Sequence, residues 1–288
     1  MAASKSATLE VEPFLHFDAE VLATLPIGES LVRVTFGGPG LREVTTCGPD
    51  QRIKIFLPRA GETSPRVPTG PDWYARYRDM PERERPVMRT YTIRSARPGQ
   101  IDVDFVRHGD TGPASSWAGG AAPGDRAVIW APNARFTDYA EGSRMGSDYA
   151  PPADTTWQLI AGDETALPAI GGIVEGLAEG ERALVFLEVP TEADRQQWQT
   201  AGDVSVTWLP RNGVHAGGGS ALLAAVRAAQ LPEGPGYAWL AGESGLVRGL
   251  RRHLVGERGV DRKRIYFCGY WRQGKSEDAP HEPVGSED

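Results

Sequence analysis

The sequence predicts a β-rich domain, a closed antiparallel barrel or a sandwich, followed by an α/β domain with a doubly wound parallel sheet. Two observations carry this. Up to about residue 150, short runs of β-branched and aromatic residues are bounded by Gly, Pro or Asp, as half-buried strands of a barrel or sandwich are. Beyond it, nearly continuous apolar runs alternate with helix-like segments, the pattern of parallel strands covered on both faces. With 288 residues the chain suits two ordinary domains, expected at 1–152 and 153–288.

In order, the first half offers strands at Leu31–Gly38, Gln51–Pro58, Met88–Arg94, Gln100–His108 and Asp125–Pro132. Between Pro58 and Pro86 lies a long polar loop, and loops of that length are usually functional or mobile. A polar connection fills 133–155. The second half offers strands at TWQLIAG, RALVFLEV, VSVTWLP, YAWLAG and RIYFCGY. Helices are expected at ETALPAIGGIVEGLAEG, TEADRQQWQ, SALLAAVRAAQ and GLVRGLRRHLVGERG.

Composition narrows the function. Hydrophobic residues at 40% and charged ones at 24% allow a globular core, and 35 glycines with 23 prolines favour turns over a helical bundle. The net charge of -7 argues against a general nucleic-acid or membrane-surface binder. No apolar run approaches the roughly 18 residues of a membrane span, and the N-terminal segment has no apolar signal core. Cys47 and Cys268 form no metal-ligand spacing. A cytoplasmic, monomeric protein is the expectation.

One strand carries unusual chemistry. RTYTIR, Arg89–Arg94, places a guanidinium, an aromatic ring and hydroxyls within four residues. Taken alone it reads as a solvated strand face. Shortly after it, DFVRHGDTGPASSWA ends a strand and starts a helix at Pro113, where a missing N–H is no loss. A glycine-led helix start is either a plain cap or an anion site. Together the two segments suit a flavin dinucleotide. Arg89 can neutralise a phosphate, Tyr91 can lie against a flat ring, Thr92 can bond the ring edge, and the helix start can hold the second phosphate.

These segments, with IAGDETALPAIGGIVE and FCGYWRQG, resemble the siderophore-interacting proteins, NAD(P)H-dependent ferric-siderophore reductases of the ferredoxin-reductase-like superfamily. The resemblance runs from about Phe14 to Gly274. It implies an FAD-binding barrel followed by a domain for NADH or NADPH, with a ferric siderophore as substrate; the sequence leaves open whether a ferredoxin is the donor. By position, Arg89, Thr90, Tyr91 and Thr92 would hold the flavin and its phosphates. Asp104, Val106 and His108 would line the ring and adenylate side, and Gly112, Pro113, Ala114 and Ser115 the pyrophosphate.

In the second half, Asp163, Glu164, Thr165 and Ala166 stand at a strand-to-helix junction, where doubly wound sheets bind ligands. The Rossmann GxGxxG is absent, and physics alone reads GDET as an N-cap with an acidic first turn; the resemblance makes it the NAD(P)H site. Trp271 could cover the flavin–nicotinamide junction or pack in the core. Cys268 reads as inert core. Arg211, after VTWLP, is the basic residue expected nearest a coenzyme 2′-phosphate. Lys54 matches a family lysine that accepts the anionic ferric chelate. A second family cation is replaced by Asn133, with Arg135 two residues on, and Arg248 or Arg251 could supply a third. Two other functions fit the scaffold: a general flavin or quinone reductase, and a non-enzymatic siderophore carrier.

Overall fold

The computed structural model describes residues 11–107, 112–138, 145–214 and 221–275. The first-half strands are β1 (Phe14–Pro26), β2 (Leu31–Gly37), β3 (Arg52–Leu57), β4 (Val87–Thr92), β5 (Ser95–Arg97), β6 (Gln100–Val106) and β7 (Arg126–Pro132). They form one antiparallel sheet in the order β4-β3-β7-β1-β2-β6-β5. Alternation sends Val34, Phe36, Ile53, Ile55, Val103 and Phe105 into a common core, each at most 1% exposed. The sheet curls until the chain just past β4 reaches β6, where Arg94 N donates to Asp102 O at 2.8 Å. The result is an antiparallel half-barrel. The strand β1, absent from the sequence reading, is its longest; a bulge between Val21 and Ala23 breaks the alternation that would have marked it.

The long loop after β3 is anchored over the barrel's outer face. Its helix α1 (Trp73–Asp79) lays Trp73 and Tyr77 against Phe56, and the Tyr77 hydroxyl donates to Pro86 O at 2.9 Å. His16 sits under it, edge-on to Trp73 at 4.9 Å. Burial lowers His16 from 6.5 to about 4. As pH falls below 6.5 the unfolded chain takes up this proton before the folded one. Stability therefore declines between about pH 6.5 and 4 through this group. His16→Phe is expected to lose less melting temperature between pH 7 and pH 5 than the wild type. An equal loss in both would remove His16 from the acid limb.

The second sheet is parallel, with β8 (Trp157–Gly162), β9 (Arg182–Val189), β10 (Asp203–Pro210), β11 (Gly236–Glu243) and β12 (Ile265–Trp271) in the order β10-β9-β8-β11-β12. The helix α2 (Pro113–Gly120) belongs to the barrel; α3 (Leu167–Gly176), α4 (Ala221–Ala228) and α5 (Ser244–Gly256) belong to the parallel sheet. Ile170, Ile173 and Val174 of α3 cover one face, with Ile160, Leu187 and Trp239. Leu222 and Val226 of α4 and Leu250 and Leu254 of α5 cover the other. The sheet is doubly wound, as the alternating apolar runs require.

TEADRQQWQ is not a helix. Only a 3₁₀ turn, Glu192–Asp194, forms there. The buried Asp194 carboxylate instead accepts from the Ser30 backbone N–H at 2.7 Å, the Glu29 N–H at 3.0 Å and the Ser30 hydroxyl at 2.9 Å. It ties the β1–β2 turn of the barrel to the parallel sheet, and that tertiary pairing overrides local helix preference. Among the described residues no helix is long and apolar enough to cross a membrane.

Candidate functional site

Between the barrel and the parallel sheet lies a cleft of about 1190 Å³, roomier than a typical small-ligand pocket. Its barrel wall comes from β3, β4, β6 and the start of α2; its other wall comes from the carboxyl ends of β8, β9, β10 and β12.

Register explains the barrel wall. Arg52 pairs with Thr92 and Lys54 with Thr90 across β3 and β4, so these four side chains share one face. Lys54 Nζ donates to Thr90 Oγ1 at 3.3 Å. Arg89 and Tyr91 occupy the opposite face. The Tyr91 ring rests 4.3 Å from Phe105, and Arg89 donates to Met88 O at 2.7 Å. Thr92 is buried. The helix α2 opens at Gly112 with Pro113 in its first turn. Among the described residues nothing lies within 4 Å of a Cβ at Gly112, which leaves the helix start open on that side to an anion.

The sequence-predicted residues Lys54, Arg89, Thr90, Tyr91, Thr92, Val106, Gly112, Pro113, Ala114, Ser115, Glu164, Thr165 and Trp271 all line this one cleft. Asp104 lines it too, but its carboxylate is taken up by Arg33 in two hydrogen bonds of 2.7 and 2.9 Å. His108 lies outside the described residues.

Four predicted site residues lie off the lining. Asp163 and Ala166 stand behind the wall, 1% and 0% exposed. Arg135 is outside the lining, paired on the surface with Glu43. Arg248 is also outside; its Nε donates to Ser244 O one turn back on α5. Asn133 is a buried strut, donating to Glu12 O at 2.9 Å and accepting from Arg135 N at 3.0 Å. Cys268 is not core. It lies on the edge strand β12, lines the cleft and faces the Arg52 guanidinium at 3.8 Å.

Arg211 lines the cleft with its charge already matched. It makes two 2.7 Å hydrogen bonds to Glu164 and lies 3.6 Å from Glu188, all three side chains nearly buried. That engagement leaves a coenzyme 2′-phosphate less to gain from it than its sequence position suggested.

Behind the sheet-side wall, Asp163 accepts from Glu243 N at 2.7 Å, Trp271 Nε1 at 2.9 Å, Thr165 N at 3.0 Å and the Thr165 hydroxyl. Burial, and then the adjacent Glu164 carboxylate, push Asp163 up to about 6 against the pull of these bonds. The Tyr270 hydroxyl is buried near Thr92 without an aligned hydrogen bond among the described residues, and burial raises its pKa.

Three cleft cations went unread in the sequence. Arg52 shares the strand face of Lys54, so the same alternation pointed to it. Arg272 and Lys275 stand on the turn after β12, bridged to each other. Among the described lining residues, six cations (Arg52, Lys54, Arg89, Arg211, Arg272, Lys275) outnumber two carboxylates, Asp104 and Glu164, with Arg52 ion-paired to Asp148 and Arg211 to Glu164 and Glu188 from behind the lining. In a protein of net charge -7 this is a local basic basin.

A curled antiparallel half-barrel with an arginine–tyrosine strand and a glycine-led helix start, followed by a doubly wound sheet opening on the same cleft, defines a flavoprotein oxidoreductase. Comparison with known proteins narrows this. Residues 20–136 match the siderophore-interacting FAD-binding domain and residues 155–274 the siderophore-interacting protein family. The chain is 31% identical to the ferric vibriobactin reductase ViuB of Vibrio cholerae, over 89% of each chain. It is 27% identical to the NADPH-dependent ferric-chelate reductase of Escherichia coli, over 87% of this chain and 91% of that one. The crystal structure of a siderophore utilization protein from T. fusca superposes with a TM-score of 0.77 at 30% identity, covering 93% of this chain and 96% of that one. The chain belongs to the siderophore-interacting protein family, and its cofactor is FAD.

Proposed function

We propose that this protein is a ferric-siderophore reductase that draws electrons from NADH or NADPH and works in the cytoplasm as a monomer. The observation that carries the reading is the basic lining of one cleft shared by the flavin strand and the parallel-sheet edge. Dinucleotide phosphates and most oxygen-donor ferric chelates are anionic, so all of its ligands gain from that field. The residues fit FAD. Arg89 and the start of α2 offer phosphate contacts, Gly112 leaves the helix start open on one side among the described residues, and Tyr91 and Thr92 offer a ring face and a hydroxyl. When bound, FAD supplies the conversion of a two-electron hydride donor into single electrons for ferric iron. The protein's task is placement and charge. Hard oxygen ligands hold ferric iron better than ferrous iron, so reduction loosens the chelate. The two cysteines are free thiols, in keeping with a reducing compartment.

On this reading Lys54, Arg272 and Lys275 receive the chelate at the cleft rim. Arg135 and Arg248 take no part, since neither reaches the lining. Lys54→Glu is expected to raise KM for an anionic ferric siderophore while flavin content and reduction by NADH stay unchanged. Sensitivity to the substitution should shrink with salt, because charges are screened beyond about 10 Å at 0.1 M. A neutral ferric hydroxamate should be far less affected. Equal kinetics of wild type and variant on an anionic chelate would make Lys54 ordinary strand surface.

A further inference from the structure

The parallel-sheet wall of the cleft ends in an aromatic side chain whose orientation is imposed from behind. Trp271 closes β12 and lines the cleft. Its indole N–H is held by Asp163 Oδ2 at 2.9 Å and its carbonyl accepts from the Ser244 hydroxyl at 2.9 Å. Asp163 itself has no freedom to turn. Each of its two oxygens takes two donors: Oδ2 from Glu243 N and Trp271 Nε1, Oδ1 from Thr165 N and the Thr165 hydroxyl. The backbone is shaped to let it in. Gly242 has a φ of 138°, and a Cβ there would fall 2.6 Å from Asp163 Oδ2. A register shift between Gly242 and Glu243 brings Glu243 opposite Trp271.

We propose that Asp163 is a positioning residue for the nicotinamide coenzyme. It never touches the coenzyme; it fixes Trp271 as a rigid wall of the subsite between the carboxyl ends of the parallel strands and the flavin strand β4. This rests on the NAD(P)H reading above. The carboxylate chemistry is specific. Three of the four donors are N–H groups, which cannot accept, so both oxygens must be acceptors toward them. Asparagine offers one oxygen. Asp163→Asn gives up the Thr165 N–H bond when its oxygen faces Trp271, the Thr165 hydroxyl then accepting from its Nδ2, and the Glu243–Trp271 pair when it turns the other way. Trp271→Phe keeps an aromatic ring and deletes only the indole N–H that Asp163 holds.

The test uses the flavin-loaded full chain. Binding of NAD⁺ and of NADP⁺ is measured by calorimetry, and KM and kcat are measured with NADH and NADPH. In Trp271→Phe the dissociation constant and KM for the coenzyme should rise by about tenfold, and in Asp163→Asn by no more than that, since the amide keeps the indole when its oxygen faces Trp271. Flavin content and kcat at saturating coenzyme should change less than about twofold, because a fixed wall supplies uniform binding. The double variant should be no weaker than the weaker single one, since both remove one interaction. If Asp163→Asn does not fold, Trp271→Phe decides alone. A wild-type flavin that neither coenzyme reduces would overturn the coenzyme reading and this proposal with it. Wild-type reduction with unchanged coenzyme binding in Trp271→Phe, or additive effects in the double variant, would overturn this proposal only.

Discussion

Arg89→Ala is expected to purify largely without flavin. Arg89 stands on β4 at the cleft, in line with the ring of Tyr91 and sharing the lining with the start of α2. A charge-assisted contact to a phosphate contributes about 1.5–3 kcal/mol, so FAD affinity should fall about 10- to 100-fold. The fold should survive, since Arg89 is only partly buried and lines the cleft. Visible absorbance relative to protein absorbance, read at micromolar protein, measures the loss. Added FAD in excess should restore the colour. Full flavin occupancy in the variant would show that Arg89 is not the phosphate ligand.

Asp50→Ala is expected to cost the most stability. Asp50 precedes β3 and is 2% exposed. Its carboxylate accepts from the Ser147 hydroxyl at 2.5 Å, the Tyr149 N–H at 2.9 Å and the Asp148 N–H at 3.1 Å. It also accepts from the indole N–H of Trp239, on the parallel sheet, at 3.0 Å. One side chain thus fastens the barrel to the connecting segment and to the centre of the second domain. Alanine leaves the Trp239 indole and two backbone N–H groups without an acceptor in a buried place. At about 1–3 kcal/mol for each stranded donor, partly relieved by water, a loss of about 3–5 kcal/mol follows. Chemical denaturation of the flavin-loaded variant measures it. Where the variant folds, coenzyme-driven flavin reduction should slow more than flavin binding weakens, because the relation between the two walls of the cleft depends on this anchor. A denaturation midpoint equal to that of the wild type would refute the anchoring role.

The two-domain order was legible because each sheet obeys a simple period. Ile53 and Ile55 alternate with Arg52 and Lys54 in β3, and ALVFL and WLAG run unbroken where helices cover both faces. RTYTIR alone reads as a solvated strand face; it becomes a flavin candidate only beside the glycine-led helix start and through the family resemblance. What escaped is what tertiary structure decides. Asp194 looks like an ordinary residue of an acidic helix until Ser30 and Glu29 arrive from the barrel to claim it. Cys268 reads as core in an apolar run, but β12 is an edge strand whose Phe267 is exposed and whose Cys268 opens on the cleft. Arg135 and Arg248 carried the right charge in the wrong place. Arg272 and Lys275, on the turn after β12, are brought to the cleft only by the crossing of the last strand.

The most direct measurement of the central claim is an anaerobic visible spectrum of the purified protein in three steps. The oxidised protein should show the bands of bound FAD. NADH or NADPH should bleach them. A ferric siderophore added next should restore them, with ferrous iron appearing in a chelator trap at two per flavin, since each hydride carries two electrons. A flavin that is bleached but not restored by any ferric chelate, while quinones reoxidise it, would contradict the account and mark a general reductase. A protein that is colourless and takes up no FAD would contradict it at the first step.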